Sequence, residues 1–150
     1  MNHYAQTIRL LLEQLSEDAN LPAGHWLSLF PKGGCCLNVS VLVARLLHEV
    51  LGVSQTKIQG AFNAVHPDTG YHSWLLVDNL IFDFTADQFT EFAEPLFGAV
   101  QSRFHDYICG EPKIMNYQKT ISIGDLTWHL EEFEPVRILL AQRLNASETL

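Results

Sequence analysis

Three kinds of side chain that can together carry out nucleophilic chemistry occur in a workable order: Cys35 and Cys36 after Gly33-Gly34, then His72, then Asp83. A thiol reacts as its thiolate, so it needs a base to take the proton and a setting that holds the charge. The two cysteines open a long apolar run, which predicts that they stand at the first turn of a buried helix. Unpaired backbone N–H groups and the helix dipole favour the thiolate there, and the same N–H groups can donate to the oxyanion of a tetrahedral intermediate.

Only one of two adjacent thiols can face a given base. Cys36 lies one turn before Ser40, a small neighbour that leaves room for another chain to approach, whereas Cys35 stacks toward Val39. Cys36 is the expected nucleophile and Cys35 the alternative. Trp26, Ser40 and Trp74 are the expected oxyanion or cleft residues. Taken alone, Cys109 reads as a core cysteine.

The base and its orienting group come from one hairpin. Tyr71 to Val77 and Leu80 to Phe84 read as strands, and Asp78-Asn79 between them tolerates the positive φ of a tight two-residue turn. That turn sets the register: Trp74 opposite Asp83, His72 opposite Thr85, all four side chains on one face. His72 and Asp83 are then diagonal neighbours, roughly 7–8 Å apart at the backbone and within hydrogen-bonding reach. Asp78, at the tip, would be about 20 Å away. Asp87 has the right parity and is the weaker alternative. Both faces of the hairpin are largely apolar, so a carboxylate among them needs a partner, and His72 is the one at hand.

The elements that must hold these groups read as follows. Tyr4 to Glu17 carries Ile8, Leu11, Leu12 and Leu15 at the spacing of an amphipathic helix, with Arg9, Glu13 and Gln14 between them on its polar side, and His25 to Gly34 is an irregular lead-in. Cys36 to Leu51 is apolar over most of its circumference, with Gly52 where a C-terminal cap belongs. Lys57 to Phe62 is a short strand and His66 to Gly70 a turn. Thr85 to Gly124 has no clear period, although Thr120 to Ile123 suits a strand. Asp125 can cap a helical turn through Trp128 to Phe133, and Pro135 can begin a terminal helix over Val136 to Leu144. The fold expected is α+β: a buried helix carrying cysteine at its N-terminus, packed on a small antiparallel sheet, within one domain spanning 1–150.

Composition removes several classes of function. The formal charge is −8 and basic residues are scattered singly, so no stripe exists to neutralise phosphates, and a nucleic-acid partner is not expected. Apolar runs such as Ile8 to Leu12 are far short of the roughly 20 residues of a membrane span. The first residues lack a basic n-region, so no signal peptide is expected, and an odd cysteine count suits a reducing, cytoplasmic setting. A zinc set drawn from Cys35, Cys36, His72 and Cys109 is disfavoured, because adjacent thiols at a helix start point apart and no CxxC pair occurs. Neither metal nor cofactor is expected.

Gly34-Cys35-Cys36 and Ser40 opening an apolar helix, then His72-Ser73-Trp74, then Asp83-Phe84-Thr85, together resemble the core of papain-like folds in their transglutaminase-like branch. The resemblance covers about residues 30 to 89. The run Asp83 to Phe89 is similar to small bacterial papain-fold proteins, toxin and effector domains among them. It implies a Cys-His-Asp triad of Cys36, His72 and Asp83 that forms a thioester on a protein or peptide substrate. Peptide hydrolysis, glutamine deamidation and amine transfer share that first half. No Gln sits shortly upstream of the cysteines to act as a papain-type oxyanion donor, which leaves Trp26 or backbone N–H groups for that role. The alternative is an adaptor or binding protein that keeps such a fold without turnover.

Overall fold

A computed structural model describes residues 1–18, 21, 23–62, 66, 68, 70–108, 113–116 and 130–147. It is α+β. Helix α1 (Asn2–Ser16) is followed by a 3-10 turn (Trp26–Leu29), helix α2 (Cys36–Glu49), strands β1 (Thr56–Phe62), β2 (Tyr71–Val77) and β3 (Leu80–Asp83), and a second 3-10 turn (Ala86–Gln88). Strand β4 (Leu96–Ala99), helix α3 (Arg103–Ile108), strand β5 (Lys113–Asn116) and helix α4 (Leu130–Ser147) complete it. The five strands form one sheet in the order β4-β3-β2-β1-β5, and every neighbouring pair is antiparallel.

The expected helices and hairpin are present with shifted ends. Asp78 and Asn79 adopt φ of 51° and 64°, the doubled positive φ that a two-residue hairpin turn requires. Leu75 pairs with Phe82 and Val77 with Leu80, the expected register, although β3 ends one residue early at Asp83. Gly52 lies just past α2 at φ +66°, and the Val53 N–H closes onto the Leu47 carbonyl at 3.0 Å.

Two readings need correction. The terminal helix starts at Leu130 rather than at Pro135, which lies inside it. Pro135 is exposed, and its ring removes one hydrogen bond from the helical ladder. In the segment read as aperiodic, Leu96–Ala99 pairs with β3 around a bulge at Gly98, whose φ of +71° suits glycine. The positions expected for a strand at Thr120 to Ile123 and for a cap at Asp125 lie outside the described residues.

Alternation divides the sheet. Ile58, Leu75, Val77, Phe82 and Phe84 point into the main core with Val39, Leu42, Val43 and Leu46 of α2 and with Ile8 and Leu12 of α1. Trp74 and Ile81 point the other way, into a smaller cluster with Ala61 and, partly buried, Leu96 and Phe104. Both faces are therefore covered, and His72 and Asp83 share the parity of Trp74 and Ile81. Among the described residues no helix is long and apolar enough to cross a membrane.

Candidate active site

Cys36 is the first residue of α2 and Cys35 its N-cap. Gly33 and Gly34 precede them at φ of +78° and +80°, so the chain turns sharply before the helix begins. A side chain at Gly33 would collide with Leu29, its Cβ falling 2.8 Å from that of Leu29. The first bond of the helical ladder runs from the Val39 N–H to the Cys35 carbonyl at 2.9 Å. The amides of Cys36, Leu37 and Asn38 precede that ladder, as the first-turn groups of any helix do.

The two thiols diverge. Cys35 turns inward to the main core, 3.4 Å from the Lys32 carbonyl, and burial together with the neighbouring Cys36 pushes its pKa up to about 12. It is thereby held protonated. Cys36 Sγ lies 3.6 Å from the Tyr71 carbonyl at the start of β2, and the residue is 4% exposed. It lines a cavity of about 380 Å³ with Gly33, Gly34, Tyr71, His72, Gln88 and Phe89, and Lys32 and Asp68 stand at the same cavity. The helix packs on one face of the sheet while His72 leaves from the other, and the helix N-terminus reaches the start of β2, where Cys36 lies against the Tyr71 carbonyl and lines the same cavity as His72.

His72 and Asp83 are hydrogen-bonded, His72 Nε2 to Asp83 Oδ2 at 2.7 Å, with side chains 1% and 0% exposed. Asp83 Oδ1 accepts from the Thr85 N–H at 2.9 Å and the Thr85 hydroxyl at 3.2 Å. Burial works against a charged imidazole, but the Asp83 carboxylate and its hydrogen bond, aided by the nearby Cys36 thiol, push His72 up to about 9. Burial likewise opposes the Asp83 charge. The His72 charge and hydrogen bonds from His105 and His72 outweigh it and hold the carboxyl well below its ordinary range.

The remaining expected residues divide. Trp74 is buried beneath the site, stacked on His72 with ring centroids 5.6 Å apart, and its Nε1 donates to Gln59 Oε1 at 3.1 Å. Trp26 belongs to the main core, Ser40 is buried one turn behind Cys36, and neither lines the cavity. Asp87, the weaker alternative to Asp83, instead forms a bidentate pair with Arg9 at 2.9 and 2.7 Å. Cys109 lies outside the described residues.

Three contributors were not read from the sequence. Gln88, in the 3-10 turn after β3, has its Nε2 3.2 Å from His72 Nδ1. His105 reaches Asp83 Oδ2 at 3.0 Å through its Nε2. Arg9, read as part of the polar face of α1, is buried; it binds Asp87 and the Phe84 carbonyl and lies 4.5 Å from the Phe30 ring centre. An acid four residues along, Glu13, was the one local signal, and it said nothing of Asp87.

His72, Asp83 and His105 bring their ligating atoms within 4.8 Å of one another, a spacing open to a divalent cation as well as to hydrogen bonds. The contacts favour hydrogen bonds. Both ring nitrogens lie at N–H···O distance from a single oxygen, Thr85 takes the other, and full burial leaves a cation no open coordination position.

Comparison of the chain with protein-family models, with curated proteins and with solved structures finds no match.

Proposed function

We propose that this protein is a cysteine-dependent acyl-transfer enzyme with a papain-like or transglutaminase-like core, acting on an amide of a protein or peptide through Cys36, His72 and Asp83. The observation that carries this reading is the buried hydrogen bond of 2.7 Å between His72 and Asp83, beside a thiol at a helix N-terminus in the same cavity. Asp83 engages Nε2, so Nδ1 is the nitrogen left to exchange a proton with the thiol.

In the first half-reaction the Cys36 thiolate attacks the amide carbonyl carbon, forming the C–S bond and a tetrahedral oxyanion. The first-turn amides of α2 are the donors nearest to hand for that oxygen. The C–N bond then breaks as the Nδ1 proton of the His72 imidazolium passes to the departing nitrogen, leaving a thioester and a neutral imidazole. Water or an amine attacks the thioester as its proton passes to Nδ1, and the C–S bond breaks to release the thiolate, which restores the thiolate–imidazolium pair. Water on a glutamine thioester gives deamidation, water on a backbone thioester gives peptide cleavage, and an amine gives transfer.

The test is to trap the intermediate. Intact-mass analysis after exposure to a p-nitrophenyl ester and to glutamine-bearing peptides should find an acyl adduct, cleaved by hydroxylamine, on Cys36. The adduct and the release of nitrophenol or ammonia should vanish in Cys36→Ala and His72→Ala. The second reading, a papain-fold adaptor without turnover, draws on the burial of Cys36. It is the one supported if no donor yields an adduct while both variants stay folded.

A further inference from the structure

Asp83 is gripped from two sides, and one of them lies outside the proposed triad. His105, on the short helix α3, is 2% exposed and directs Nε2 at the same Oδ2 that His72 uses, at 3.0 Å against 2.7 Å. Its Nδ1 is 2.7 Å from the Ser102 hydroxyl oxygen, and its backbone N–H donates to that oxygen at 3.5 Å. The ring stands edge-on to Trp74, centroids 4.7 Å apart, and Trp74 in turn stacks on His72.

Counting charges and protons assigns the roles. Where Cys36 is a neutral thiol, or is replaced by alanine, one carboxylate cannot balance two imidazolium rings in a buried site without leaving a charge uncompensated. Acyl transfer needs His72 as the ring that carries the second proton, so His105 takes the neutral form. A neutral ring has one N–H, and it belongs on Nε2, because a lone pair there would face a carboxylate oxygen. Nδ1 is then an acceptor, filled by the Ser102 hydroxyl hydrogen. Donation runs from Ser102 to His105 to Asp83 with no acceptor left bare. Among the described residues, Cys36 of α2, Gln88 of the 3-10 turn and Thr85 face His72 and Asp83, none of them a cation, and Lys32 and Asp68 line the same cavity as His72.

We propose that His105, locked in its Nε2–H form by Ser102, is a positioning residue that fixes the Asp83 oxygen orienting His72 and shares that oxygen's charge. This rests on the acyl-transfer reading above. His105 does not line the cavity, so it acts through Asp83 rather than on substrate. Sharing weakens the pull of Asp83 on His72. Removing the second donor returns the full carboxylate charge to His72 and raises the pH at which that ring loses its proton.

The experiment is an NMR titration of the His72 ring in full-length Cys36→Ala protein, which reads the ring without needing turnover. With His105→Phe the His72 midpoint should rise by about one pH unit, a tenfold change in proton affinity. With His105→Gln, which keeps an N–H donor at similar reach, it should return to within a few tenths of the parent. Ser102→Ala, which keeps the ring but frees its tautomer, should give a smaller rise and guards against His105→Phe failing to fold. A midpoint unchanged or lowered in both Phe and Ser102→Ala proteins, or moved equally by Gln and Phe, overturns the proposal. Failure of the acyl-transfer reading would appear elsewhere, as an inert Cys36 in the unaltered protein, with this titration still measurable.

Discussion

Gln88 meets His72 on the side of the ring opposite Asp83: its Nε2 lies 3.2 Å from Nδ1, while Asp83 holds Nε2 at 2.7 Å. A neutral imidazole is therefore held at both nitrogens, and the carboxamide contacts the nitrogen that in the proposed reaction exchanges a proton with Cys36. A neutral His72 accepts from Gln88 at Nδ1, whereas an imidazolium has a proton there and turns the carboxamide away. Gln88→Ala should lower kcat/KM about tenfold, the scale of one lost hydrogen bond. Gln88→Glu should cost more, because a carboxylate beside Nδ1 competes with the thiolate for the proton. Steady-state kinetics on an acyl donor, with circular dichroism to verify folding, measures both; a faster Gln88→Glu enzyme than Gln88→Ala contradicts this role.

In the proposed reaction the raised pKa of His72 sets an alkaline limit on turnover but not on thiol alkylation. Transfer of a proton to the leaving group needs the imidazolium, which is lost as pH passes about 9. Turnover of an amide donor should therefore fall above that pH while alkylation of Cys36 does not. Stability follows the same sign: a pKa raised from 6.5 to about 9 contributes stability fully present below pH 6.5 and lost as pH rises through 9. Asp83, held below its ordinary range, contributes in the opposite sense, present above the usual carboxylate pKa of 3.8 and lost as pH falls through its lowered value. Melting temperatures recorded across pH should decline at both ends.

Asp83→Asn keeps the shape of the side chain and removes the charge that supports the imidazolium. By analogy with the orienting aspartate of serine-protease triads, the rate should drop by a factor of about 10³ to 10⁴. Because Asp83 is fully buried between two histidines, the same change should lower stability by about 3–5 kcal/mol. Chemical denaturation separates the two effects, since the rate loss should persist where the variant remains folded.

Arg9 ties α1 to the turn that carries Gln88. It is buried, forks onto Asp87 at 2.9 and 2.7 Å, and reaches Glu13 at 2.7 Å. Arg9→Met keeps much of the stem but strands the Asp87 carboxylate, and should destabilise the fold by about 3 kcal/mol. Adding Asp87→Asn should recover part of the loss. A double-mutant cycle in urea checks the coupling, and additive losses would contradict it.

The sequence made some of this site legible because its local rules are strict. Asp78-Asn79 admits one hairpin register, and that register alone brings His72 and Asp83 to one face. Gly33-Gly34 before an apolar run marks a helix start, hence the setting of Cys36. His105 was not legible, since it lies 22 residues beyond Asp83 on a six-residue helix, and no local spacing links the two. Gln88 depends on how a 3-10 turn folds back, which no period reports. Arg9 was misread because amphipathic patterning assigns a charged residue to solvent, while here a tertiary partner, Asp87, makes its burial affordable.

The central claim is that Cys36 is a nucleophile made reactive by His72. Iodoacetamide labelling across pH, followed by peptide mass mapping, tests it most directly. Modification near neutral pH should fall on Cys36 and spare Cys35, which burial keeps protonated up to about 12. His72→Ala should slow it at least about tenfold at neutral pH by removing the proton acceptor. A Cys36 that is inert near neutral pH, or that reacts equally fast with and without His72, contradicts the account.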